Sequence, residues 1–342
     1  MTDLYRILNV DSRASVEVIN AAYKALANKH HPDHGGSQKL FTEIGAAHDI
    51  LGDVKKRAKY DREAGRAVPT GKTIIGSYEI LKFLAEGAMG RTYVARHQLT
   101  QKLVCVKCCL GVGPEYESVM LNEAGAVWDI RHYAFPAIRE VLKLDDGAVA
   151  IIMSYVPGPT LDQAVKHLGK IDPEHCGWIF ERLMAGLSYL HANGVVHGDI
   201  KPQNVILQPE SHGAVMIDFG LSMVKPTSMD HNIGFTNHFS PPEQLEADRK
   251  PLIPETDLYS LGMTMLYAFT GKMSKRDESL RSSDVPVGIR EFLRMMTAPN
   301  ITDRPNWQSM DILKEIHDLR IKCFGTRNTR GKIFPKVPYD TF

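Results

Sequence analysis

The sequence predicts a chain of two parts, a small all-α domain followed by a larger α+β domain. Three observations carry this. Residues 1 to about 65 repeat apolar side chains at helical spacing and contain no convincing strand. From about 78 to 107 the pattern changes to short apolar strands broken by glycine, and long helical stretches follow. Between them, roughly 66–76, lies a stretch of Gly, Pro and Lys with the character of a linker.

At 342 residues and 43% hydrophobic content the chain is long enough for two domains and a sizeable core. With 41 basic against 40 acidic side chains it has no overall field to draw it onto nucleic acid or an anionic membrane, and no local patch stands out. Neither is expected as a partner, and no pattern sets an oligomeric state. The opening MTDLYRILNV has no basic lead into an apolar run, and the longest apolar stretch, LYSLGMTMLYAF, is too short for a bilayer. A soluble cytoplasmic protein is the expectation.

In the first part, DLYRILNV reads as a short leading helix. Ile19, Ala22, Tyr23, Leu26 and Ala27 then recur on one helical face, and Pro32 should end that helix. A second stripe follows Ser37, a plausible N-cap, through Phe41, Ile44, Ala47, His48 and Leu51, with a last helix around KKRAKYDREAG. The joining loop, KHHPDHGG, is dense in possible metal ligands. Pro32 keeps its histidines off a common helical face, however, and no cysteine or distant carboxylate motif completes a shell.

The run AAYKALANKHHPD…LFTEIGAAHDILGDVKKRAKYD resembles a DnaJ-type J-domain, over residues 1 to about 65, with His31-Pro32-Asp33 as its specific element. The resemblance implies docking onto a DnaK-class chaperone through that loop and the basic face of the preceding helix. Lys24 and Lys29 are read as that cationic edge, within helical reach of each other.

The second part begins with LAEGAMGRTYVA, where Gly87 and Gly90 lie between two expected strands and would let a loop close over phosphates. VCVK puts Lys107 on the next strand but one, and LNEAGAVWDI offers Glu123 on a helix as its partner. LVCVKCCL contains a C-x-x-C decoy at Cys105 and Cys108. Three residues apart on a strand they stand roughly 10 Å apart, beyond the roughly 7 Å Cα limit for a disulfide, so reduced thiols are expected. In VVHGDIKPQNVIL, Asp199, Lys201 and Asn204 fall within six residues, and VMIDFGLS adds Asp218-Phe219-Gly220. A carboxylate for a substrate hydroxyl, a cation for the moving phosphate and two magnesium ligands are the parts phosphoryl transfer asks of a protein.

In this order the motifs resemble the eukaryotic-like (Hanks-type) protein kinase family over about 77–323, which implies a small lobe to about 156, a large lobe from 157 and a tail over 324–342. SPPE with Glu243, Asp257 in DLYSLGMTML, and Arg304 in DRPN continue the match. The resemblance implies ATP and Mg2+ as cofactors and a protein as substrate. Ala85, Gly87, Gly90, Cys105, Lys107, Ser154, Val156 and Ile206 should surround the nucleotide, with Asn204 and Asp218 on the metal. Lys201, two positions after Asp199, marks the serine/threonine form, with Thr236 bracing both. His197, Phe219 and Val127 fit the apolar spine between the lobes, and Glu243–Arg304 the buried ion pair. Departures are Ala85 for the first loop glycine, Thr92 for a valine, Ser154 for a hinge acid, and Gly198 for the arginine that usually receives an activation-loop phosphate. The expected function is a serine/threonine kinase with a chaperone-recruiting J-domain. Two alternatives stand beside it: a co-chaperone with a silent nucleotide-binding kinase fold, and a kinase regulated internally by its J-domain. The tail, GTRNTRGKIFPKVPYDTF, has no helical period and is either mobile or laid over a domain surface.

Overall fold

The computed structural model of the protein describes residues 3–10, 14, 16–31, 36–53, 56–57, 60, 73–87, 90–111, 113–144, 147–227, 230, 234–245, 252–325 and 333–339. The chain divides into two compact units, Met1–Thr73 and Ile74–Phe342.

The first unit is helical. Helix α1 (Leu4–Ile7) is capped by Asp3, whose carboxylate accepts from the Tyr5 and Arg6 amides. Helices α2 (Val16–Lys29) and α3 (Gln38–Leu51) follow, and Ser37 caps α3 through the Leu40 amide. Tyr5, Leu8, Ile19, Ile44, Ala47, Leu51 and Tyr60 bury together, with Tyr23 and Leu26 packed against them. His48 is not simply core: its ring stacks on Tyr23 at 4.0 Å between centroids, and its Nε2 bonds Asn20 Oδ1 at 2.7 Å, pinning α3 to α2. The Tyr60 hydroxyl accepts from the Leu4 amide at 3.0 Å, which ties the end of the unit to its start. Helix α2 stops at Lys29; Pro32, read as its terminator, lies outside the described residues. Of the expected last helix, Lys56, Arg57 and Tyr60 are helical, and its other residues lie outside those described, save Gly52 and Asp53 before it.

The second unit opens earlier than the linker reading allowed. Strand β1 (Ile74–Ile75) pairs antiparallel with β2 (Tyr78–Glu86), inside the stretch read as linker. With β3 (Gly90–His97), β4 (Leu103–Cys109), β5 (Ile138–Lys143) and β6 (Val149–Ser154) they form a six-stranded antiparallel sheet in the order β1-β2-β3-β4-β6-β5. Alternation sorts its side chains. Ala95, Val104, Val106, Ala150 and Ile152 make a core on one face. On the other, Val149 and Ile151 join Met120 and Ala124 of helix α4 (Pro114–Ala126) and the main core. Cys105 and Lys107 share this second face, and none of the five cysteines is joined in a disulfide.

Helices dominate the rest: α5 (Leu161–Leu168), α6 (Pro173–Ala192), α7 (Pro242–Leu245), α8 (Pro254–Thr270), α9 (Arg276–Leu280), α10 (Val287–Met296) and α11 (Ile312–Phe324). Short strand pairs link them, β7 (Val195–Val196) with β10 (Met223–Val224) and β8 (Val205–Gln208) with β9 (Gly213–Met216). The apolar run LYSLGMTMLYAF belongs to α8. Every residue from Thr256 to Thr270 is buried, so an all-round apolar sequence marks the lobe's central helix. Pro254 opens it and Gly271, at φ +69°, closes it. Among the described residues no helix is long and apolar enough to cross a membrane. The described part of the tail lies on the large-lobe core: Phe334 and Val337 are buried, and the Phe334 ring meets His175 at 5.0 Å.

Candidate active site

Two carboxylates from distant elements converge on one ammonium. Lys107 Nζ on β4 lies 2.6 Å from Glu123 Oε1 on α4 and 2.8 Å from Asp218 Oδ1, which follows β9. Burial alone would lower the Lys107 pKa, but the Glu123 and Asp218 charges outweigh it and the net shift is upward, so the ammonium stays charged. Burial pushes the Glu123 carboxyl up against the pull of Lys107, and Asp218 adds to the rise. For Asp218 burial also pushes upward, yet the Lys107 cation prevails and that carboxyl ends low. The two acids share one cation but end in opposite directions, because Asp218 also feels His197 and Lys201 whereas Glu123 feels the Asp218 charge.

The second cluster surrounds Asp199, which is buried. Its Oδ1 accepts the Thr236 hydroxyl at 2.7 Å, and its Oδ2 accepts Lys201 Nζ at 2.7 Å and Asn204 Nδ2 at 3.1 Å. Lys201 Nζ also donates to Thr236 Oγ1 at 3.2 Å, closing a triangle of Asp, Lys and Thr. Asn204 Nδ2 donates to the Asp199 carbonyl at 2.9 Å as well, which turns the amide oxygen of Asn204 away from Asp199. No donor reaches Asn204 Oδ1 or Asp218 Oδ2 among the described residues. These are hard oxygen donors, the type that holds Mg2+ beside phosphate oxygens, so the donor set fits that ion.

The backbone under Asp199 is clamped from below. Asp257, fully buried on α8, accepts the His197 amide through Oδ2 and the Gly198 amide through Oδ1, both at 2.8 Å. Gly198 sits at φ +76°, where a side chain is strained; an added Cβ would also stand 2.8 Å from the Leu221 carbonyl oxygen. His191 Nε2 bonds the same Asp257 Oδ2 at 2.8 Å. Trp307 Nε1 approaches His191 Nδ1 at 2.8 Å, and since indole N–H only donates, Nδ1 is the acceptor and Nε2 carries the proton given to Asp257. His191 and Trp307 escaped the sequence reading. They stand 116 residues apart, and no local spacing links them.

Other expected residues are also placed. Phe219 is buried with its ring 4.7 Å from His197 and 5.7 Å from Phe135. Val127 is buried, but as the C-cap of α4 rather than within the helix. Gly220 follows Phe219, and a Cβ there would lie 3.5 Å from Asp218 Oδ1. Glu243 and Arg304 form a buried two-point pair at 2.6 and 2.9 Å, with Arg304 also over the Tyr259 ring. Between β2 and β3, Gly87 N donates to Gly90 O at 2.9 Å, while Ala85 pairs with Thr92; a Cβ on Gly90 would meet Cys108 O at 2.7 Å. Cys105, Val156 and Ile206 are half-buried. Ser154 exchanges two bonds with Ala137, its hydroxyl accepting from the Ala137 amide at 2.9 Å, so its side chain is already engaged.

In the first unit His31 packs edge-on to Phe41 at 5.1 Å, while Pro32 and Asp33 lie outside the described residues. Lys24 and Lys29 are both exposed, but five residues put them about 140° apart around α2; they flank the helix rather than share a face.

A family model described as protein kinase domain matches residues 78–330, and one described as DnaJ domain matches residues 3–61. Among curated proteins the chain is 29% identical over 239 residues to a MAP kinase kinase, MKK1/SSP32, of Saccharomyces cerevisiae (66% of this chain, 45% of the relative). It is 28% identical over 221 residues to serine/threonine-protein kinase D of Synechocystis sp. (58% and 42%), and 27% over 215 to PrkC, a serine/threonine-protein kinase of Bacillus subtilis (61% and 33%). The chain thus spans between a third and half the length of these relatives.

Proposed function

Since this chain belongs to the protein kinase family and carries a DnaJ domain ahead of the kinase domain, we propose that it is a serine/threonine protein kinase whose J-domain brings it to a DnaK-class chaperone or to that chaperone's clients. The observation that carries the catalytic half is the Asp199–Lys201–Thr236 triangle: a carboxylate held at a fixed angle, with a cation 2.7 Å from it. In this reading Asp199 orients a serine or threonine hydroxyl and takes up its proton. Lys201 then steadies the phosphoryl group in transit. Lys107, held by Glu123, meets the α- and β-phosphates of ATP. Asp218 and Asn204 would hold Mg2+, which supplies charge neutralisation of the transferred phosphoryl group. The loop of Ala85, Gly87 and Gly90 covers the phosphates, and Cys105, Ile206 and the backbone at Ser154 and Val156 bound the adenine. His197, Phe219, Gly220, Asp257, Glu243 and Arg304 hold these groups in place.

The recruiting half rests on His31, Pro32, Asp33 and the flanking Lys24 and Lys29. A chaperone bound there is tethered to the kinase by a short connection, at an effective concentration on the order of millimolar. Proximity then selects the substrate. With labelled ATP, a generic peptide and a client-loaded chaperone, Asp199→Asn should reduce labelling of both acceptors by orders of magnitude. His31→Gln should leave peptide labelling unchanged while reducing chaperone or client labelling and abolishing stimulation of the chaperone's ATPase. Near-native turnover in Asp199→Asn refutes the catalytic assignment. Equal loss on both acceptors in His31→Gln replaces recruitment with internal regulation.

A further inference from the structure

Gln244 is fully buried on the short helix α7, next to Glu243, whose two-point bond to Arg304 fixes that turn. Its amide reaches the opposite way. Nε2 donates to the Gly198 carbonyl at 3.0 Å and points to the Gly234 carbonyl at 3.5 Å, while Oε1 has no hydrogen-bond partner among the described residues. The reverse orientation would set Oε1 against two carbonyl oxygens, so the amide is held as drawn. A buried amide with one end orphaned costs stability, and its retention at the core calls for a use other than packing.

The use lies in what the two carbonyls belong to. Gly198 immediately precedes Asp199, and its N–H is already held by Asp257. Gly234 stands two residues before Thr236, the hydroxyl donor to Asp199 Oδ1. Leu221 fills the space between them: its carbonyl would lie 2.8 Å from a Cβ on Gly198, and its side chain 3.1 Å from a Cβ on Gly234. No side chain at residue 198 bridges the two segments. We propose that Gln244 is a positioning residue for phosphoryl transfer, locking the Thr236 segment in register with Asp199 by one amide bonded to both backbones. This rests on the kinase reading above and adds to it a coupling of the two segments that needs no phosphate.

The test is steady-state kinetics and thermal denaturation of the full chain carrying Gln244→Met, with peptide as acceptor. Methionine matches the volume and deletes the orphaned oxygen but leaves the Gly198 carbonyl without its donor, two opposed effects of similar size, so Tm should change little. Loss of the bridge should lower kcat by about ten- to a hundred-fold with KM for ATP unchanged, because Lys107, Glu123 and Asp218 are untouched. Gln244→Glu supplies the conditional case: only the protonated acid can donate to Gly198 O, so its kcat relative to wild type should rise as pH falls. Wild-type kcat in Gln244→Met, a kcat that falls only as Tm falls, or a Gln244→Glu ratio flat with pH overturns the assignment. A wild-type chain that labels no acceptor overturns the kinase reading and this assignment with it, which separates the two failures.

Discussion

Asp257→Asn isolates the clamp beneath the catalytic loop. The carboxylate takes three donors, the Gly198 amide on Oδ1 and the His197 amide and His191 Nε2 on Oδ2. Asparagine keeps one acceptor oxygen and turns the other position into a donor. His191 cannot switch tautomer to accommodate it, because Trp307 donates to its Nδ1. The amide therefore keeps its oxygen where two donors point and sets Nδ2 against the Gly198 amide. One bond to a charged group is lost with a buried N–H left unpaired, about 1.5–3 kcal/mol. At roughly 2–4 °C per kcal/mol for a domain of this class, Tm should fall by about 3–12 °C. Because the freed residue adjoins Asp199, kcat should also fall, by about ten- to a hundred-fold. Differential scanning calorimetry and peptide phosphorylation measure the two effects on one preparation. Unchanged Tm and turnover would refute the clamp.

Lys107→Met should abolish phosphate transfer, and its stability deficit should depend on pH. Glu123, raised in the folded state, favours folding most below its unfolded pKa and loses that contribution as pH rises through the folded value; removing Lys107 raises it further. Asp218, lowered by Lys107, contributes stability above its unfolded value that the variant forfeits. Both shifts make the deficit small near the carboxylate range and larger toward neutrality, readable by urea unfolding across pH; a deficit shrinking toward neutrality contradicts it. Burial pushes the Cys105 thiol up to about 12 despite Lys107, so iodoacetamide should label it more slowly in the folded chain than in urea, with a rate still climbing above pH 9. A plateau near the ordinary thiol range would place Cys105 in a wetter site.

The parts of this protein legible from the residues themselves, without the family resemblance, are those whose partners are close along the chain. Asp199, Lys201 and Asn204 fall within six residues, so their spacing brings them together, although Thr236 and Asp257 fix their geometry from a distance. Ser37 as a cap and Leu103–Cys109 as a strand follow from local propensity and alternation. The run LYSLGMTMLYAF was legible as apolar but not as the central helix, since all-round hydrophobicity carries no facing direction and only the surrounding helices supply one. Contacts closed over long separations were decided by packing. Lys107 is shared by Glu123 and an aspartate 111 residues away, Trp307 fixes the tautomer of a histidine 116 residues away, and Gln244 reaches a carbonyl 46 residues back. A lone Trp, His or Gln has no periodicity to betray it. Its role arises only when the fold brings a single donor within about 3 Å of a single acceptor and excludes the water that would otherwise satisfy both.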